Sequence, residues 1–409
     1  MKKTGQHPGW ISAAYRVVLT IAVGLVMVAV VDPSTQAQTF DVIYTFAGTP
    51  DASYPSAGVV MDLAADLYGT TINGGAFGLG TVYKVDKSGN ETVLYSFSSA
   101  AGGAVGPEAG VVRDAAGNLY GTTLFGGTYG LGTVYKLDKS GNETVLHSFS
   151  GVGTDGAYPY AGLVRDGKGG LYSTTYNGGD YGQGTVFKVS GKGVETIYSF
   201  KASGDGSAPY GALVADAKGN LYGTTWGGGA QGYGTVFKLS PAGVETVLYS
   251  FKGSPDGAAP LAGLVMDTNG NLYGATYFGG DAVCSSAGCG TVFKVTALGV
   301  ETVLHTFTFG NDGIHPSGGL TIDGEGNLYG TTVQGGGNGC DSHLGCGVLF
   351  KLGSTRKEAI LHNFTGGADG GNPVAALVSD GKGSFYGTAA TGGASNCTFG
   401  CGVVFKITP

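Results

Sequence analysis

A five-residue pattern, Leu-Tyr-Gly-Thr-Thr or a close variant, recurs seven times and constrains the fold of this chain more than any other feature. Its tyrosines are Tyr68, Tyr120, Tyr172, Tyr222, Tyr273, Tyr329 and Tyr386. A second pattern, Gly-Thr-Val-Phe/Tyr-Lys or a close variant, ends each copy at Lys84, Lys136, Lys188, Lys238, Lys294, Lys351 and Lys406. The copies repeat every 50 to 57 residues. Repeats of this length are typical of propellers or helical solenoids, and the strand content decides between them.

Each copy contains four short runs rich in Val, Thr, Tyr and Phe, a composition that favours β-strands. In the second copy these runs are residues 110–112, 119–123, 133–137 and 143–149. Turn sequences such as the one from Asp114 to Gly117 separate them, with Asp at the first turn position and Gly where a positive φ is needed. Four antiparallel strands in each of seven units predict an all-β, seven-bladed β-propeller.

The two ends of the chain predict how the ring closes. The seventh copy stops after its third strand, whereas residues 41–46 align without gaps to the fourth strand of the third copy, residues 195–200. The N-terminal strand should therefore complete the last blade and leave no free sheet edge at the seam. We predict that residues 38–409 form a single propeller.

Residues 1–37 have the features of an export signal. Two lysines near the N-terminus and Arg16 precede a 15-residue apolar run, residues 17–31, and Ala37 ends a suitable cleavage site. The run is shorter than the roughly 20 residues that span a bilayer. If the apolar segment is taken to begin at Ile11, it is long enough to span a bilayer, so an uncleaved membrane anchor is the alternative. We expect a protein that is secreted, periplasmic or at the cell surface, or else anchored in the membrane by its N-terminus.

The net negative charge of the chain argues against two classes of partner. Without residues 1–37, the chain keeps 19 Lys and Arg against 28 Asp and Glu. An acidic surface without a basic cluster argues against nucleic acid and against anionic lipid. We therefore expect no nucleic-acid partner, and no membrane contact beyond a possible N-terminal anchor.

The repeated composite of motifs resembles the GloVer tandem-repeat proteins, a choice-of-anchor group whose members carry differing surface-anchoring tails. The match is carried by Asp-x-x-Gly-Asn-Leu-Tyr-Gly-Thr-Thr, the Gly-Gly that follows, and Gly-Thr-Val-Phe-Lys with Glu-Thr-Val-Leu-Tyr-Ser-Phe, across residues 40–409. The resemblance implies an exported bacterial repeat protein and supplies no catalytic residues. The chain departs from the group in ending at Pro409 without a sorting tail, and in carrying cysteine loops in its last three blades.

The six cysteines form three close pairs in equivalent loops between the second and third strands of blades five, six and seven. The pairs are Cys284/Cys289, Cys340/Cys346 and Cys397/Cys401. Many connectivities are possible, but three local pairs favour bonding within each loop in an oxidising compartment. Zinc is the alternative, although the pairs lie on separate blades. We predict three disulfides, no metal site and no cofactor.

The residue after the Thr-Thr marker is aromatic in three consecutive blades: Tyr176, Trp226 and Tyr277. The loops after the second and fourth strands should emerge on one face of the ring. Aromatic rings on such a face can stack on sugars, or can hold apolar ligands and partner proteins. These three residues are candidate ligand-binding residues, and packing between blades is the structural alternative.

An Asp-Gly-x-x-Pro motif leads into most of the innermost strands and supplies Asp155, Asp205 and Asp256 among others. Carboxylates around a channel mouth could hold a cation or serve as an acid/base pair. Asp-Gly is equally a turn signature, and Pro suits the first residue of a strand. These aspartates are therefore candidate ligand-binding residues with a structural alternative.

The chain has neither a Gly-x-Ser-x-Gly elbow nor a phosphate loop followed by a helix. The leading hypothesis is an exported, non-catalytic binding or scaffolding propeller whose ligand is a glycan or a surface protein. The alternative is a carbohydrate-active hydrolase or lyase, which needs two channel-mouth acids about 5–10 Å apart beside the aromatic residues. A purely structural envelope component is a third possibility.

Overall fold

The chain folds as the predicted all-β, seven-bladed propeller with four antiparallel strands in each blade. The computed structural model describes residues 38–190, 193–281, 284, 286–337, 340 and 344–409. The predicted export segment, residues 1–37, lies outside these residues. Within them, the one helical segment is a 3-10 turn at Ala100–Gly102, and no helix is long and apolar enough to cross a membrane.

Each blade consists of an inner, a second, a third and an outer strand, which follow one another in chain order in blades one to six. The inner strands are Val60–Met61, Val112–Arg113, Val164–Arg165, Val214–Ala215, Val265–Met266, Thr321–Ile322 and Val378–Ser379. The second strands are Leu67–Thr71, Leu119–Thr123, Leu171–Thr175, Leu221–Thr225, Leu272–Thr276, Leu328–Thr331 and Phe385–Ala389.

The other two strands of each blade complete the sheets. The third strands are Thr81–Val85, Thr133–Leu137, Thr185–Ser190, Thr235–Leu239, Thr291–Val295, Val348–Leu352 and Val403–Thr408. The outer strands of blades one to six are Glu91–Ser96, Glu143–Ser148, Gly193–Ser199, Glu245–Ser250, Glu301–Thr306 and Glu358–Asn363.

The N-terminal strand, Thr39–Thr45, is the outer strand of blade seven. It pairs antiparallel with Val403–Thr408, and Asp41 lies opposite Lys406. This confirms the closure predicted from the chain ends. Because the pairing covers the third strand of blade seven, that strand presents no unpaired edge.

Edge-to-face aromatic pairs join consecutive blades. The Phe that follows each outer strand packs against the third-strand Phe or Tyr of the next blade, and all these rings are buried. The seven ring centroid distances lie between 5.0 and 5.4 Å; the pairs are Phe46–Tyr83, Phe97–Tyr135, Phe149–Phe187, Phe200–Phe237, Phe251–Phe293, Phe307–Phe350 and Phe364–Phe405. Pairs of this geometry add roughly 0.5–1.5 kcal/mol each beyond the area that they bury.

Small residues before the inner strands allow neighbouring blades to approach closely at the axis. A Cβ at Gly110 would lie 2.7 Å from the carbonyl oxygen of Gly58 in the preceding blade. Threonine hydroxyls of the second strands link the blades in the same region. Thr122 Oγ1 donates to the carbonyl of Ala161 at 3.0 Å, and Thr388 Oγ1 donates to that of Ala57 at 2.9 Å.

The Thr388 hydrogen bond connects blade seven to blade one, so its removal tests the seam. Thr388→Val keeps the shape of the side chain but leaves the Ala57 carbonyl without its donor. We expect the free energy of unfolding to fall by about 1–2 kcal/mol in chemical denaturation. The matched control is Thr174→Val in blade three, where the buried hydroxyl has no hydrogen-bond partner among the described residues. An equal loss in both variants would contradict the role of the Thr388 bond.

The three predicted disulfides are present. The Cα–Cα distances are 5.3 Å for Cys284–Cys289, 5.2 Å for Cys340–Cys346 and 5.2 Å for Cys397–Cys401, within the range that a disulfide spans. Their presence indicates an oxidising environment.

Candidate functional site

The loops after the second and outer strands meet on one face, which we call the loop face. Two-residue strands join them in five blades, pairing Ala52–Ser53 with Asn73–Gly74, Ala104–Val105 with Phe125–Gly126, Gly156–Ala157 with Asn177–Gly178, Gly206–Ser207 with Gly227–Gly228, and Gly257–Ala258 with Phe278–Gly279. The backbone N–H of Trp226 donates to Ala208 O at 3.1 Å, and that of Tyr176 donates to Tyr158 O at 3.0 Å. Both candidate aromatic residues are thus anchored at the loop face.

Trp226 lies in an open cleft between blades four and five. Its side chain is 43% exposed, and that of Tyr233, which also lines the cleft, is 46% exposed. Phe278 forms another part of the wall, and Ala258 and Ala259 contribute a small apolar surface. The cleft has a volume of about 240 Å³. Its walls are aromatic and aliphatic, and the polar side-chain groups among the lining residues are serine hydroxyls, the Tyr233 hydroxyl and the Trp226 indole N–H.

Tyr176 belongs to a different cluster, formed with Tyr160 and Tyr210. The rings of Tyr160 and Tyr210 are stacked with centroids 4.5 Å apart, and Tyr176 meets Tyr160 edge-to-face at 5.4 Å. Burial raises the pKa of Tyr210, and the nearby charge of Glu108 raises it further. Burial also raises the pKa of Glu108 itself. The result is a half-buried carboxyl group beside a tyrosine stack.

Sequence reasoning missed Glu108, Tyr160 and Tyr210. Each of them directly follows the proline that leads into an inner strand. The equivalent residues of the other blades are Ser56, Leu261, Ser317 and Val374. A comparison of this post-proline position between the repeats would have revealed a second position where some blades differ from the rest, here blades two to four.

Tyr277 has a third environment. Its ring stacks on His315 with centroids 4.5 Å apart and planes only 6° from parallel. Phe278 packs edge-on against it at 4.9 Å. Tyr277 is thus half-buried by packing, and Phe278 connects it to the Trp226 cleft. The three aromatic residues that follow the Thr-Thr marker therefore lie in three distinct settings.

The candidate aspartates make hydrogen bonds within their own loops and to the preceding outer strand. Asp205 accepts from Gly206 N at 2.5 Å and from Tyr198 Oη at 2.7 Å. Asp256 accepts from Tyr249 Oη at 2.8 Å and from the backbone N–H of Lys252 at 3.0 Å. Neither residue lines the Trp226 cleft.

Asp155 follows the same pattern. Its carboxylate accepts from Ser150 N at 2.8 Å and lies 3.0 Å from His147 Nε2. Burial alone would raise the pKa of Asp155, but the hydrogen bonds from His147 and Ser150 outweigh burial and hold it below its usual value. All three aspartates therefore shape loops, and the structure does not bring them together beside the aromatic residues.

A larger cleft of about 1040 Å³ lies at the turns on the opposite side of blades three and four, and Asp166, Asp216 and Lys188 are among its lining residues. Asp166 accepts from the backbone N–H of Gly170 at 2.7 Å, and Asp216 accepts from that of Asn220 at 2.9 Å. Because these carboxylates close their own turns, the larger cleft offers less for ligand recognition than the loop face.

Solved structures with the same fold share little sequence with this chain. The extracellular domain of a proposed one-component system protein from B. thetaiotaomicron is 12% identical with a TM-score of 0.55, and the match covers 89% of this chain and 39% of that one. A proposed 6-phosphogluconolactonase from Bacteroides fragilis is 18% identical with a TM-score of 0.50, covering 79% and 87%. At these identities the likeness shows the fold alone.

Sequence comparison identifies the family. No functionally curated protein matches the chain. The profile of the Gloeobacter/Verrucomicrobia repeat matches three times, at residues 27–166, 103–286 and 282–409. These matches extend over all seven blades and agree with the resemblance carried by the repeated motifs. The chain therefore belongs to the Gloeobacter/Verrucomicrobia repeat family.

Proposed function

We propose that this propeller is an exported, non-catalytic binding protein that holds a glycan at the loop face of blades three to five. The observation that carries the proposal is the exposure of Trp226 and Tyr233, 43% and 46%, in a cleft that Phe278 helps to form. Other aromatic side chains, such as Phe77 and Tyr181, are more exposed, but Trp226 and Tyr233 line one cleft together, and a contiguous exposed apolar surface commonly marks a binding site.

The composition of the cleft supports a sugar as ligand. Aromatic walls suit the apolar faces of a pyranose ring, while hydroxyl and backbone groups at the rim can pair with its hydroxyls. The tyrosine stack of Tyr160 and Tyr210 adds aromatic surface on the same face. Since the sequence beyond residue 37 is acidic, a neutral or cationic glycan fits better than a polyanionic one.

The absence of a carboxylate among the residues lining the cleft supports binding over hydrolysis. Among the described residues, those lining the cleft include Trp226, Tyr233, Ser254, Phe278 and Ser286, and none is acidic. Glycoside hydrolysis commonly needs two carboxyl groups on either side of the scissile bond. The motif aspartates are instead hydrogen-bonded in their own loops.

A glycan and cell-wall polysaccharide binding screen of the full chain tests the proposal, run in parallel on Trp226→Ala. We expect a specific ligand whose affinity falls at least about tenfold in the variant, because a stacking aromatic ring is lost. The matched control is Phe77→Ala, which removes an exposed ring from the loop of blade one. Binding by no glycan, or equal binding by both variants, would overturn the proposal, and capture of a protein ligand alone would replace the glycan.

A further inference from the structure

A polar triad recurs at the boundaries between outer strands. An outer-strand Tyr or His contacts the Asp of the following loop, and the Glu that begins the next outer strand lies close to the same Asp. Tyr44, Tyr198 and Tyr249 each donate to their Asp at 2.7–3.0 Å. The corresponding glutamates are Glu91, Glu245 and Glu301; burial and then the charge of that Asp raise the pKa of each to about 7.

Between blades five and six, the triad contains histidine instead of tyrosine. His305 Nε2 lies 3.1 Å from Asp312 Oδ1 and 3.6 Å from Glu358 Oε1. One ligand atom from each of the three side chains lies within 4.8 Å of the other two. Tetrahedral Zn²⁺ with bonds of about 2.0–2.1 Å holds its ligand atoms roughly 3.3 Å apart. The two shortest separations are thus already close to those of a zinc site.

The Glu358 carboxyl group is largely buried beside Asp312. Its side chain is 14% exposed, and among the described residues Oε1 has no hydrogen-bond partner. The Glu358 and Asp312 carboxyl groups are close enough to share a hydrogen bond. Two neighbouring carboxyl groups disfavour a second negative charge, and a divalent cation would remove that conflict.

The other two boundaries with histidine lack the third ligand. His147 approaches Asp155, but Val194 has the register position of the glutamate. His362 approaches Asp369, but Phe40 occupies that position and stacks on the imidazole at 3.6 Å. Among the described residues, His305, Asp312 and Glu358 form the one group of this composition close enough to hold a metal ion.

We propose that His305, Asp312 and Glu358 bind one Zn²⁺ ion that pins blade five to blade six. One imidazole nitrogen and two carboxylate oxygens suit zinc, with water as the fourth ligand. Ca²⁺ is disfavoured because it takes six to eight oxygen ligands. The partial exposure of all three side chains gives the ion and its water a route to the site.

The test is a calorimetric titration of metal-free, untagged full chain with ZnCl₂, keeping the disulfides oxidised. We expect one equivalent of Zn²⁺ per chain. His305→Tyr reproduces the triad found at Tyr198 and Tyr249 and should fold normally, while Glu358→Gln keeps its shape. We expect each to weaken binding by at least about tenfold. His147→Tyr, at a boundary with only two ligands, should leave affinity unchanged.

The same architecture offers a gain-of-site variant. Tyr249→His at the boundary with Asp256 and Glu301 recreates the His-Asp-Glu composition and should raise the stoichiometry to two equivalents. No Zn²⁺ binding by the folded wild-type chain would overturn the proposal. Wild-type affinity in His305→Tyr would also overturn it, because the ion would then lie elsewhere. A stoichiometry of one in Tyr249→His would also count against the proposal, because the same three residue types at an equivalent boundary would then fail to bind Zn²⁺.

Discussion

Replacing Phe46 with Ala is expected to lower the free energy of unfolding by about 3–5 kcal/mol. The ring is fully buried and packs against Tyr83 of blade one at 5.0 Å and against Tyr44 at 5.2 Å. Phe46 follows the N-terminal strand directly, so its loss leaves a cavity at the seam where the ring closes. Chemical denaturation of the full chain, with disulfides intact, measures the change.

The matched control is Val42→Ala in the same strand. Val42 is 37% exposed, so its truncation should cost less than about 1 kcal/mol. A loss in Phe46→Ala no larger than that in Val42→Ala would mean that the N-terminal strand adds little to the stability of the ring. That result would contradict the closure described here.

Replacing Gly234 with Ala should destabilise the chain by about 3 kcal/mol or more. Gly234 has φ +96°, and an added Cβ would lie 2.3 Å from the carbonyl oxygen of Thr225 and 2.8 Å from Pro260 Cδ. The backbone strain of an L-residue in this region costs roughly 1–2 kcal/mol, and the overlap with rigid neighbours adds a comparable amount.

Gly232→Ala separates the two contributions. Gly232 lies in the same loop with φ +82°, but no atom of the described residues lies within 4 Å of its added Cβ. We expect a loss of only about 1–2 kcal/mol, from backbone strain. Thermal or chemical unfolding of both variants measures the difference, and equal losses would show that the close approach of Gly234 to Thr225 is relieved at little cost.

The sequence was sufficient to predict the blades, their number and the closure of the ring. Turn residues and strand patterns are local, and sevenfold repetition makes each of them visible several times. The cysteine pairs were predictable for the same reason, because Cys397 and Cys401 lie within one loop.

The candidate site was only partly predictable. Trp226 stands out in the sequence, but its partner Phe278 lies 52 positions further along the chain and meets it only once neighbouring blades are packed. The stack of Tyr160 and Tyr210 likewise depends on the approach of two blades at the axis. The sequence could not predict that Asp205 hydrogen-bonds to Tyr198 and to its own loop. Asp-Gly is compatible with both a turn and a ligand-binding site.

The His305–Asp312–Glu358 triad shows the same limit. From the sequence we predicted no metal site, because the cysteine pairs lie on separate blades. The three residues of the proposed zinc site lie on two outer strands and in a loop between them, with Glu358 53 positions beyond His305. The three residues are too far apart in the chain to form a recognisable sequence motif. A blade-by-blade comparison of the outer strands would have shown that His and Glu coincide at this boundary.

Isothermal titration calorimetry of the full chain with the glycan from the binding screen tests the central proposal most directly. We expect each injection to give a heat pulse that returns to baseline and saturates, with affinity at least about tenfold lower in Trp226→Ala and unchanged in Phe77→Ala. Heat that continues after each injection would reveal turnover and contradict a non-catalytic role. Equal affinity in wild type and Trp226→Ala would contradict the assignment of the site to the loop-face cleft.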